Sequence, residues 1–132
     1  MPVTLNKIHP RVLQIIISEP WTTEELMATY PEAQRLLDAA APGKKLYTVV
    51  DLTATNHLPL GILRARASPQ VSHLNSDSVI IIGGNSIVKT IAETGFRLVH
   101  YSKVHFVYSQ NEAWDYLRSL GIDDAEDKTK SE

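Results

Sequence analysis

Short apolar runs rich in valine and isoleucine alternate along the chain with longer segments of helical periodicity, and this alternation restricts the fold more than any other feature. The runs are Val12 to Ile17, Leu46 to Leu52, Val79 to Ile82 and His105 to Val107, with Val3 to Leu5 as a short edge strand. Strands separated by helices imply an α/β domain, here a single-layer mixed or parallel sheet of about four to five strands with about four helices packed mainly on one face. Val12 to Ile17 is apolar at almost every position, so it is expected to be central with both faces covered.

Local signals set the helix boundaries. Thr22 followed by Glu25 forms a capping box, and Leu26, Tyr30, Ala33 and Leu37 then fall on one helical face. Pro31 lacks an amide donor and crowds the preceding turn, which predicts a kink or break near Tyr30. Ala41-Pro42-Gly43 is expected to end this helix, and Ser68 to Asp77 reads as a polar connection. Pro59 suits the first turn of a brief second helix with Leu60, Leu63 and Ala67 on its apolar side. A third helix is expected from about Ile87 to Phe96, and Ser109 with Glu112 marks a second capping box, ahead of Ala113, Leu117 and Leu120. Residues 122–132 are charged and aperiodic, so the domain is expected to span 1–121 and the remainder to be a disordered tail.

Composition narrows the function. The 132 residues suffice for one hydrophobic core. Thirteen basic and fifteen acidic residues leave a net charge of -2, which provides no broad basic field and disfavours a nucleic-acid partner. There is no cysteine, so disulfides, thiolate nucleophiles and the common zinc sites fall away together. His9, His73, His100 and His105 lack metal-ligand spacing, and no metal or cofactor is expected. No apolar run approaches the roughly 18 residues of a membrane span, and Met1 to Lys7 lacks the pattern of a secretory signal, so a cytoplasmic monomer or weak homodimer is expected.

Ligands of α/β sheets gather beyond the carboxyl ends of the strands, which singles out two loops. The first holds Asp51, Thr53, Thr55, Asn56 and His57. Its plain reading is turn chemistry, with Asp51 and Asn56 bonding backbone groups. A catalytic reading would have Asp51 orient His57 as a general base, but neither a nucleophile nor a bound water is specified by spacing, so no catalytic residue is assigned. The second loop, Gly83-Gly84-Asn85-Ser86, has the outline of an anion-binding turn at a helix start, while lacking the glycine spacing of a dinucleotide loop and the lysine of a phosphate loop. Its plain reading is a glycine turn with an Asn or Ser cap. Trp21, Trp114 and Tyr116 read as core or rim anchors.

The order of elements, with Val49-Val50-Asp51-Leu52 ending a central strand, then a polar loop, then a helix opening near Gly61, resembles the STAS family of bacterial anti-anti-sigma factors over roughly residues 3–120. The resemblance implies a small non-enzymatic regulatory domain that binds a protein partner through the loop and helix after that strand, here Thr53, Thr55, Asn56, His57, Leu58, Pro59, Leu60 and Gly61. In that family the helix start carries an aspartate, a serine or threonine phosphorylated by a partner kinase, and a glycine. The corresponding stretch here reads Leu58-Pro59-Leu60-Gly61, and no hydroxyl occurs from Leu58 to Leu63. The expectation is therefore partner binding without the usual phosphorylation switch. The alternative is a small-ligand carrier or sensor holding an apolar or anionic molecule between the two loops, with Gly83, Gly84, Asn85 and Ser86 as its contacts.

Overall fold

The structure is a computed structural model that describes residues 3–40, 45–55, 75–83, 85–98 and 103–122. Nine elements follow in chain order: β1 (Val3–His9), β2 (Val12–Ser18), α1 (Thr23–Met27), α2 (Tyr30–Asp38), β3 (Leu46–Ala54), β4 (Ser76–Ile82), α3 (Ser86–Leu98), β5 (Val104–Val107) and α4 (Gln110–Ser119). The strands form one five-stranded sheet in sequential order. β1 is antiparallel to β2, while β2, β3, β4 and β5 run parallel. The expected mixed α/β sheet is thus present, and its four parallel strands all deliver their carboxyl ends to one rim.

The strand pleat sorts apolar side chains onto two faces. One face carries Val12, Tyr47, Val49, Ile80, Ile82 and Val107, covered by Ala113 and Leu117 of α4 and by Ile122. The other carries Ile15, Ile17, Leu52, Val79 and Ile81, packed with Trp21, with Leu26 of α1 and with Val88 of α3. Leu13 and Leu46 on that same face close over Leu37 of α2. Three described helices therefore share one face, and α4 alone lies on the other.

Several boundaries differ from the sequence reading for local reasons. β1 runs on to His9 because Asn6 and Lys7, although polar, pair with Gln14 and Leu13 on an edge that faces solvent. Ser76 and Asp77 belong to β4, not to a loop, since Ser76 pairs with Leu46. β3 likewise extends through Thr53 and Ala54, the latter opposite Ser18. β2 is not covered on both faces along its whole length, because Ile16 remains 37% exposed. Leu120, expected on the apolar side of α4, is exposed at the C-cap, and Ile122 takes a core position instead.

The predicted break in the first helix is real. α1 ends at Met27, Ala28 and Thr29 form a turn, and α2 restarts at Tyr30 with Pro31 in its first turn, where a missing amide costs nothing. α2 stops at Asp38, short of Ala41-Pro42-Gly43, which lies outside the described residues. Thr22 and Glu25 form the full capping box: the Glu25 amide donates to Thr22 Oγ1 at 3.2 Å and the Thr22 amide to Glu25 Oε1 at 3.0 Å. Ser109 accepts from the Glu112 amide at 3.1 Å, but Glu112 reaches one residue further back, to the Tyr108 amide. The short helix expected at Pro59 lies outside the described residues.

Candidate functional site

Among the described residues the carboxyl rim is built from four chain segments in succession: the Glu19-Pro20-Trp21 turn after β2, Thr53 to Thr55 at the end of β3, Gly83 with Asn85 and Ser86 after β4, and Tyr108-Ser109 after β5. Parallel pairing fixes their mutual height, with Asp51 opposite Ile82 and Ile82 opposite Val107. The two loops singled out from the sequence therefore come together here at their described ends.

Asp51 is half-buried, and its Oδ1 accepts from both the Thr53 amide at 2.9 Å and the Thr53 hydroxyl at 2.6 Å. This is the local turn chemistry expected of an aspartate at a strand end, and it spends the carboxylate oxygen on orienting Thr53. Thr53 itself is exposed, and its methyl lies against Gly83. Gly83 adopts φ +76, and its amide donates to the Val107 carbonyl at 2.9 Å, which ties the rim across β5.

Asn85 caps α3: its Oδ1 accepts from the Val88 amide at 2.9 Å while its carbonyl takes the Lys89 amide. The Ser86 carbonyl accepts from Thr90. At these positions the turn reads as glycine followed by an Asn cap, with a side-chain oxygen already occupying one of the amides that an anion would seek. Gly84, Asn56, His57, Leu58, Pro59, Leu60 and Gly61 lie outside the described residues, so the dyad of Asp51 with His57 does too.

Thr55 is placed differently from its neighbours. It is 6% exposed, its Oγ1 accepts from Trp21 Nε1 at 3.0 Å, and it donates to Glu19 Oε1 at 2.7 Å. Sequence spacing gave no hint of this contact across 34 positions. Exposed apolar side chains at the rim were also missed. Ile87 in the first turn of α3 is 68% exposed, Tyr108 is 81% exposed, and Ile16 pairs directly with Asp51. Of these, only Tyr108 directly follows a strand; Ile16 lies within β2 and Ile87 within α3, where spacing gives no sign of exposure.

The histidines take structural places. His9 is buried, accepts from the Arg11 amide through Nδ1 at 3.0 Å and meets the Trp114 ring at a tilt. His105 is exposed on β5 and stacks on Tyr116 with ring centroids 4.0 Å apart. His73 and His100 lie outside the described residues. No helix of the described residues is long and apolar enough to cross a membrane.

No family model matches the sequence, and no curated protein matches it either. Among solved structures, the chain is similar to the anti-sigma factor antagonist SpoIIAA in its unphosphorylated form, with a TM-score of 0.61 and 10% sequence identity. The likeness covers 92% of this chain and 98% of that one, so it is not confined to a shared fragment. Identity this low speaks for the fold alone, and in that respect the chain is STAS-like.

Proposed function

We propose that this chain is a non-enzymatic regulatory domain that binds a protein partner through the segment after β3, Thr53 to Gly61, with Gly83 to Ser86 as the adjoining rim. The supporting observation is the near-complete fold likeness to an anti-sigma factor antagonist, joined to the packing of Thr53 on Gly83, which sets the described ends of the two segments side by side. Leu58, Pro59 and Leu60 supply apolar anchors, and exposed Ile87 and Tyr108 extend the apolar character of the same rim. Because Leu58-Pro59-Leu60-Gly61 carries no hydroxyl, binding proceeds without phosphorylation at the helix start. The expected place of action is the cytoplasm.

The test is affinity capture from the native cell with the parent chain and with Leu60→Asp as baits. A partner retained by the parent and lost by the variant is the expected result. Retention of every parent partner by Leu60→Asp overturns the assignment of the surface, and stoichiometric phosphate between Leu58 and Leu63 is ruled out by the sequence itself, so phosphate on Thr53 or Thr55 would overturn unswitched binding.

A further inference from the structure

Trp21 and Thr55 join two segments of the rim through a polar contact that core packing does not require. The indole is buried with Ile15, Ile17, Leu52 and Val88, a setting in which a phenyl ring would fill most of the same space. Its Nε1 nevertheless donates to Thr55 Oγ1 at 3.0 Å, and that hydroxyl donates onward to Glu19 Oε1 at 2.7 Å. Two backbone bonds flank the contact: the Glu19 amide to the Ala54 carbonyl at 3.4 Å and the Thr55 amide to the Leu52 carbonyl at 3.1 Å. A buried hydroxyl bonded in this way has one favourable position, because moving it would strand the indole N–H in apolar surroundings.

We infer that Trp21 and Thr55 are positioning residues for the partner-binding segment, fixing the point at which the chain leaves β3, one residue before Asn56. This rests on the function proposed above and adds to it a control element in the turn that follows β2. The indole is anchored in the core, so it acts as the fixed post. Thr55 is the tethered end, and the Glu19 carboxylate closes the tether from the solvent side.

Hydrogen exchange on Thr55→Val, Trp21→Phe, Thr55→Ser and the double variant Trp21→Phe/Thr55→Val tests this. Thr55→Val and Trp21→Phe are expected to speed exchange of the Thr55 and Glu19 amides by about tenfold, the worth of one buried hydrogen bond, while the Val79 to Ile82 amides keep the parent rate. Thr55→Ser restores the parent rate, and the double variant is no faster than Thr55→Val, since both substitutions break the same bond. Parent-like exchange of the Thr55 and Glu19 amides in both single variants overturns the inference. Affinity for the protein captured by the parent bait should fall about tenfold in Thr55→Val and recover in Thr55→Ser, and unchanged affinity alongside faster exchange also overturns it. If the parent captures nothing, the functional reading fails separately, and the exchange rates still decide whether the pair fixes the end of β3.

Discussion

Thr53 and Gly83 are packed so closely that a Cβ built on the glycine would lie 2.7 Å from the threonine Cγ2. Two different demands for glycine coincide at this position, since its φ of +76 is also disfavoured for any residue with a Cβ. Gly83→Ala is expected to destabilise the fold by about 2 kcal/mol, measured by urea unfolding. Adding Thr53→Ser, which removes the methyl, should recover the steric part and leave the backbone part, so that the double variant falls between the parent and Gly83→Ala. A double variant as unstable as Gly83→Ala would show that the backbone conformation accounts for the whole cost.

Thr48 lies at the centre of β3, fully buried, and its hydroxyl has no hydrogen-bond partner among the described residues. Valine has nearly the same shape and leaves no polar group to desolvate. Thr48→Val should therefore raise stability by about 1 kcal/mol, visible as a higher thermal midpoint. A lower midpoint would mean that the hydroxyl is satisfied in solution.

The two N-caps offer a matched pair. Thr22→Ala and Ser109→Ala should each cost about 1 kcal/mol, because each leaves a helix amide without its side-chain acceptor. Glu25→Ala should add a further loss by freeing the Thr22 amide, whereas Glu112→Ala should leave the Ser109 cap intact, since Glu112 bonds the Tyr108 amide instead. Chemical denaturation of the four variants distinguishes these outcomes.

Tyr47 gives the stability a dependence on alkaline pH. Burial of the phenol, followed by the nearby Asp77 carboxylate, raises its pKa, partly opposed by Arg11, whose guanidinium lies over the ring. The unfolded chain then releases the phenol proton first, at about pH 10, so the contribution is complete below that pH and is lost as pH rises toward the higher folded value. Tyr47→Phe should be somewhat less stable than the parent at neutral pH, through loss of the bond to Asp77, and the gap should narrow above about pH 10. A gap that widens with alkalinity would reverse the assigned direction.

What the sequence could disclose depended on how local the cause was. Both cap positions and the interruption before Pro31 were legible because each is decided within four or five residues. The core strands were legible because β-branched runs leave little alternative. Ser76 and Asp77 were misread as loop since their strand character comes from pairing with β3, a partner distant in sequence. The same limit applies at the rim. Asp51 orienting Thr53 and Asn85 capping α3 are short-range and were within reach, whereas the bond from Trp21 to Thr55 and the bare Ile16 depend on which strands become neighbours and where the helices stop.

The pairing of β1 with β2 gives the domain a directional set of attachment points. Val3 sits opposite Ile17, so the chain enters beside the carboxyl rim. α4 then leads away from that rim, passing Trp114 alongside His9, at the opposite end of β2, before Ile122 seals the core. A fluorophore, bead or fused protein joined ahead of Val3 would stand over the surface where a partner is expected, and one joined beyond Ile122 would hang from the other pole. Bait design for this domain thus has a preferred polarity, with the handle at the carboxyl-terminal side and the rim left facing the solution.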